Sequence, residues 1–251
     1  MAVDKPFFRT FRMFTDGDYT SSGRSGYVDH PLFAKSPENY VLASQLIIDD
    51  LRELFEYVEP SDINLATYSF RIHSLFVRTC IEIEANFKAI LLENGYCNND
   101  GRKLNICDYM RLEHTHFLSD FAIIYPHWNG ENSKRHPFKE FRKGASPKWY
   151  KSYNAVKHDR KETFIQANLS NLTDSIAALA VILAAQFGPN NFERGSVVLS
   201  LGSNDPYENS PTGYLRVEYP KSIQEEDRYS FDWQLLKDCP APFQKLSFPN
   251  Y

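Results

Sequence analysis

Between residues 36 and 188 apolar side chains return every three or four positions, and short polar breaks separate the runs, which is the pattern of successive amphipathic helices. Ser36-Pro37-Glu38 is a helix opening: a capping hydroxyl, a proline suited to the first turn and an acid facing the dipole. Val41, Leu42, Leu46, Leu51, Leu54, Phe55 and Val58 follow, and Pro60 ends the run. A second helix is predicted to open at Ser61-Asp62. Leu65, Ile72, Leu75, Phe76, Cys80, Ile83, Phe87, Ile90 and Leu91 form its stripe, with Gly95 as the stop. At about 30 residues it would span ~45 Å, long enough to be the spine of a bundle. A short third helix is expected over Asn105–Phe117, a strand or structured loop over Phe121–Trp128, and a helix over Pro147–Lys157 with Trp149, Tyr153 and Val156 facing inward. The last helix, Asn168–Phe187, is apolar almost all round through Ile176–Ala185, so it should be buried on several sides.

Outside this span the periodicity fades. Residues 1–35 are aromatic, punctuated by Gly and Ser, and read as an extended arm lying over the core. After Gly188 the chain is rich in Asn, Ser, Gly and Pro to Gly213, broken by the apolar run Val197–Leu201. Tyr214–Tyr219 alternates like a strand, Tyr229–Trp233 resembles another, and Pro240–Tyr251 suggests an extended strap. The expected fold is therefore mainly α: an arm (1–35), a helical bundle (36–188) and a small irregular or β extension (189–251) packed on that core.

Composition narrows the function only slightly. Net charge is −4, so no whole-chain field favours nucleic acid. A local basic run does exist, with Lys143, Lys148, Lys151, Lys157, Arg160 and Lys161 set against one acid, Asp159. Aromatic residues stand out at 15%; core packing is the first expectation for them, with an interface or base stacking as the other uses. Cys80, Cys97, Cys107 and Cys239 form no C-x-x-C pair and suggest no disulfide framework. The first fifteen residues carry early charges and no continuous apolar run, so no leader is expected. Ile176–Ala185 is too short to span a bilayer, which takes about 20 residues, so no membrane partner is expected and cytoplasmic residence is the default.

Chemistry concentrates in Trp149–Arg160. On a helix, Lys151, Asn154 and His158 share one face, away from the Trp149/Tyr153/Val156 stripe. An imidazole can move protons near neutral pH, a cation can hold a phosphate and an amide can orient a hydroxyl. RNA brings its own nucleophile, the 2′-hydroxyl, so neither a metal nor a cofactor is expected. Purely structural roles are also open: His158 and Asp159 could cap a helix end, Arg160 could pair with Glu82 or Glu84, and Tyr153 has the period of a core residue.

Three features together resemble the HEPN superfamily of helical domains. They are the run Ile81-Glu82-Ile83-Glu84-Ala85-Asn86-Phe87-Lys88, the segment Tyr153-Asn154-Ala155-Val156-Lys157-His158-Asp159-Arg160, and the Ala/Leu-rich helix after it, covering roughly residues 40–188. Many members are metal-independent ribonucleases of toxin and phage-defence systems. Their hallmark is an Arg, four to six residues with a polar one often first, then His. His158 and Asn154 match the His and the polar position, whereas Tyr153 and Lys151 occupy the two spacings at which the Arg would stand. The resemblance implies a homodimer that acts on RNA or binds a nucleotide, with a cognate antitoxin as partner. His158 would be the general acid/base, Asn154 the orienting group and Lys151 a phosphate contact, with Arg160, Lys157, Arg78 and Glu82 as substrate contacts. A non-catalytic interaction or nucleotide-binding module of the same family is the alternative. A third reading is a metal-dependent hydrolase built from Glu113, His114, His116, His127 and His136, whose spacing fits a helix poorly: residues two apart diverge by about 160°. The triplets Asn168-Leu169-Ser170 and Asn171-Leu172-Thr173 read as helix-start chemistry.

Overall fold

The computed structural model describes residues 2–19, 21–98, 101–188 and 214–248. The chain is mainly helical, with one small sheet. Its elements are α1 (Pro37–Phe55), α2 (Phe70–Glu93), α3 (Ile106–Tyr109), α4 (Glu113–His116), β1 (Ala122–Ile124), β2 (Lys134–Arg135), α5 (Lys148–His158), α6 (Arg160–Thr163), α7 (Leu169–Phe187), β3 (Arg216–Glu218) and α8 (Trp233–Leu236).

The centre is α7. Asn168 caps it by accepting the Asn171 N–H at 3.1 Å, and from Ser175 to Phe187 every side chain is buried. Its most extensive contact is with α2, and α1, α5, β1 and β3 complete the enclosure. By length and composition alone α7 could cross a membrane, yet 89% of its apolar window is covered by the rest of the molecule. Its two buried hydroxyls turn back on its own backbone. Thr173 donates to the Leu169 carbonyl at 2.9 Å and Ser175 to Leu172 at 2.7 Å, so neither of these buried hydroxyls is left unpaired. The sheet has the order β2-β1-β3, antiparallel throughout. Ile123 pairs with both Arg135 and Val217, and Ile123 and Val217 are fully buried.

Several boundaries differ from the expected ones for identifiable reasons. Helix α2 starts at Phe70, so its 24 residues span only ~36 Å. Ser69 is the true cap, accepting the Ile72 N–H at 3.1 Å. Asp62 is drawn away to brace residues 128–132 instead: its carboxylate accepts from Trp128 Nε1 (2.7 Å), the Glu131 N–H (2.8 Å) and the Asn132 N–H (3.2 Å). Ser36 occupies the cap position of α1 but sits in the left-handed region, φ +46°, with no side-chain bond to the helix. The helix expected over 105–117 breaks into α3, a 3-10 turn and α4. Asn105 and Asp108 form a capping box at its start. Tyr229–Trp233 is not a strand. Tyr229 makes isolated bridges to Val3 and Phe14, and Trp233 opens α8. The expected apolar run Val197–Leu201 lies outside the described residues.

The segment before residue 36 is not an arm over a finished core; it is part of that core. Phe11, Phe14, Tyr27, Val28 and Phe33 are buried in the same cluster as α7. The tail closes on them through bridges from Val3 and Phe14 to Tyr229 and from Phe7 to Gln244. The Tyr229 hydroxyl accepts the Phe7 N–H and donates to the Thr10 carbonyl, each at 3.0 Å. Much of the aromatic surplus is spent here. Phe14, Tyr27, Tyr229, Phe231 and Trp233 meet mostly edge to face, with centroids 5.1–6.5 Å apart.

Arg9 locks this junction. It is fully buried with φ +51°. Its Nη1 donates to Gln186 Oε1 at 2.9 Å and its Nη2 to the Lys35 carbonyl at 2.6 Å. Nε lies 2.7 Å from Glu93 Oε1, close as an ion pair although not aligned as a hydrogen bond. Gln186 passes the connection to Asn86 on α2 at 2.9 Å.

Candidate functional site

Helix α5 is oriented by aromatic anchors. Trp149 Nε1 donates to the Pro137 carbonyl at 2.9 Å and the Tyr150 hydroxyl to Glu84 on α2 at 2.8 Å. Tyr153 meets Phe76 edge-on. Burial and the nearby Glu84 charge push the phenols of Tyr150 and Tyr153 well above the ordinary range, so both remain protonated donors. With Trp149, Tyr150, Ser152, Tyr153 and Val156 turned inward, the other side of α5 faces out: Lys151 and His158 are exposed and Asn154 is half-buried. The expected face of cation, amide and imidazole thus exists on a real helix.

The remaining candidates distribute unevenly. Asp159 (φ −140°, ψ 71°) breaks the helix and turns Arg160 into α6, its carboxylate accepting the Glu162 N–H at 3.3 Å. Arg160 does not pair with Glu82 or Glu84; its guanidinium lies 5.9 Å from the Phe70 ring centroid. Lys157 folds back over the Tyr153 ring at 5.1 Å. Arg78 pairs across to Asp50 on α1 and reaches the Leu46 carbonyl at 3.4 Å, rather than pairing along α2 with Glu82. Burial raises the Glu82 carboxyl above its ordinary range, and the charge of Arg78 partly offsets that. At about 100° per residue, Arg78 and Glu82 lie far round α2 from Phe76 and Glu84, which meet α5. The structure therefore brings Lys151, Asn154, Lys157, His158 and Arg160 to one region and leaves Arg78 and Glu82 out of it.

The histidines do not converge. His116 is buried, its Nε2 3.1 Å from the Arg9 carbonyl and its Nδ1 2.9 Å from the Thr115 hydroxyl. Burial pushes its pKa down to about 3. His114 turns the other way, onto a cavity of about 860 Å³ shared with Arg102, Met110, Phe117 and Arg142. His127 lies beside Tyr214, and His136 is exposed. Among the described residues no group of three or more His, Cys, Asp or Glu is placed to hold a metal ion.

One cluster was not foreseen. Tyr68, Phe70 and His73 surround Phe164, with ring centroids 5.8, 4.9 and 5.5 Å from it. Phe70 is 69% exposed and Tyr68 50%. The sequence held one sign of it: Phe70 falls off the apolar stripe of α2, where the pattern calls for a polar residue.

No known protein family, curated protein or solved structure matches this chain.

What the α5 surface can do follows from its groups. A solvent-exposed imidazole can accept and return a proton, an ammonium about two turns away can offset charge on a phosphate, and the amide between them can donate or accept. Tyr153, at the shorter of the two spacings where an arginine would stand, is sealed in the core at 1% exposure, so Lys151 is the cation this face offers at the longer one.

Proposed function

We propose that this chain is a HEPN-like protein that engages RNA at the outer face of α5 and cleaves it without a metal. The observation that carries the reading is the exposure of Lys151 and His158 on the same side of α5 as Asn154, opposite its buried aromatic stripe. In this scheme His158 takes the proton of a ribose 2′-hydroxyl. The 2′-oxygen bonds to the adjacent phosphorus, the bond from phosphorus to the 5′-oxygen breaks, and the departing 5′-oxygen receives a proton from an imidazolium. The products are a 2′,3′-cyclic phosphate and a free 5′-hydroxyl. Lys151 offsets the charge that builds on the phosphoryl oxygens, as a point charge rather than the two-pronged grip of an arginine. In a homodimer the second copy's imidazole serves as the acid while the first serves as base.

The burial of Tyr153 favours a second reading, a HEPN-like module that binds RNA, a nucleotide or an antitoxin protein without cutting. Incubating the purified protein with mixed RNA, with and without EDTA, beside His158→Ala and Lys151→Ala, separates the two. Cleavage that survives EDTA and disappears in His158→Ala supports the nuclease. Cleavage abolished by EDTA, or undiminished in His158→Ala, removes it. Absence of cleavage by every form leaves the binding module.

A further inference from the structure

Exposed aromatic rings are expensive to leave in water, and nothing in the fold requires one at residue 70. Phe70 is the first residue of α2, whose start is already satisfied by the Ser69 cap, so a polar side chain would serve the helix equally well. Yet Phe70 projects at 69% exposure beside Tyr68 at 50% and Ile165 at 59%, with Phe164 and His73 filling the space between them. The backbone beside the group is tied down at several points. Tyr68 bridges to Asn168, the Leu169 N–H donates to the Thr67 carbonyl at 2.8 Å, and the Ser170 N–H donates to Leu65 at 3.0 Å, fastening the loop before α2 to the start of α7. Ring faces that do not have to be ordered on binding retain more of their contact energy.

Charge surrounds the rings. The Arg160 guanidinium covers part of Phe70, and Lys157 and Lys161 are exposed on either side of it in sequence. The local acids are Asp159, which is occupied in capping α6, and Glu162. Arg71, next to Phe70, is paired with Glu53 on α1. His73 is held below its ordinary pKa by burial and by the charge of Arg160, so near neutral pH it presents an uncharged ring. His158 stands two residues from Arg160. A planar platform beside cations matches one ligand class, a polyanion with unpaired planar bases.

We propose that Phe70 and Tyr68, supported by Phe164 and flanked by Arg160 and Lys161, form a stacking platform for the bases of single-stranded RNA next to the α5 face. The proposal takes its ligand from the RNA reading above, but it concerns binding and not cleavage. A single strand can splay its bases onto the rings, whereas a duplex keeps them paired and offers only its backbone.

The test is fluorescence anisotropy with a short labelled RNA carrying 2′-O-methyl sugars, which lack the attacking hydroxyl and cannot be cut. Wild-type protein should bind the single strand more tightly than the same sequence in a duplex. Phe70→Ala should weaken the single-strand complex roughly 5- to 150-fold, the weight of one stacked base, while Phe70→Trp retains it. Tyr68→Ala is the second variant should Phe70→Ala lower the melting temperature. Equal affinity for single strand and duplex, binding indifferent to both alanine variants, or no RNA binding overturns the platform. Because the probe cannot be cleaved, the two readings fail separately. Binding that depends on Phe70, with no His158-dependent cleavage of ordinary RNA, removes the nuclease and keeps the platform. Cleavage with binding that ignores Phe70 does the reverse.

Discussion

Replacing Arg9 with methionine should be among the most damaging changes available outside the apolar core. Methionine keeps most of the side-chain volume and finds the left-handed backbone at φ +51° no harder to adopt, so the loss is one of charge and hydrogen bonds. Glu93, 12% exposed, would lose its cation, and the fully buried Gln186 would lose the donor to its Oε1. Breaking a buried pair from one side costs about 3–5 kcal/mol. The lower end applies here, because Glu93 sits near the surface and still accepts the Lys35 N–H at 3.0 Å. Losing the guanidinium from the Tyr40 face, 4.6 Å away, adds about 0.5–1 kcal/mol. A total near 3–4 kcal/mol corresponds to a fall in melting temperature of roughly 6–15 °C for a chain of this size. Urea titration followed by far-UV circular dichroism measures it. Neutralising the orphaned acid as well, in Arg9→Met/Glu93→Gln, should recover about 1 kcal/mol or more relative to the sum of the single changes. A loss under about 1 kcal/mol for Arg9→Met, or strict additivity in the double variant, would refute the argument that the unpaired carboxylate carries the cost.

Two further predictions concern acid. His116 is held neutral by burial with a pKa of about 3, whereas in the unfolded chain it titrates near about 6.5. The unfolded state therefore binds the extra proton between those values, and stability should fall as pH drops through that window by up to about 1.4 kcal/mol per pH unit. Urea midpoints against pH should show a shallower acid limb for His116→Gln, and an unchanged slope would sink the assignment. Asp108 behaves differently: burial acts to raise its pKa, but Arg102, the Asn105 N–H and Tyr96 outweigh it, leaving it below the ordinary carboxylate range. Its contribution is thus complete above about pH 4 and is lost as pH falls through the folded value. Asp108→Asn should cost about 1–2 kcal/mol at pH 7, with the gap to wild type closing in strong acid; a gap independent of pH would refute it.

The helices were legible wherever burial was one-sided or total. The buried run of α7 and the Trp149/Tyr153/Val156 stripe of α5 follow from spacing, and the start of α1 follows from Pro37 although Ser36 does not cap it. The misplaced start of α2 has one cause, which is competition for a polar group by a partner remote in sequence. Asp62 has the local credentials of a helix cap, but Trp128 and the 131–132 backbone claim its oxygens, and only the tertiary structure decides between the two. The start of α2 moved eight residues as a result. Likewise Arg78, expected as a substrate contact, is held by Asp50 across the helix pair. Residues 2–35 could not be placed because their aromatic rings have no period, and their partners, Tyr229 and Trp233, lie at the far end of the chain. On α5 the shared face of Lys151, Asn154 and His158 is pure helical geometry and was readable. Of the ring cluster only the off-stripe position of Phe70 was readable, because its centre, Phe164, comes from beyond the break at Asp159.

The joining of opposite ends of the chain bears on how this molecule folds. Phe7 and Tyr229 are 222 positions apart, yet their bond helps to roof the cluster around Phe33 and Phe187. Helices α1, α2 and α7 can find one another over shorter loops, so that pairing is expected to be the late step, delayed by the entropy of closing so large a loop. The same ordering run backwards makes the seam between residues 3–14 and 228–244 the first region to open. Amide exchange should report it as a unit of lower protection than α7, so that loosening begins at the roof while the helical interior is still intact.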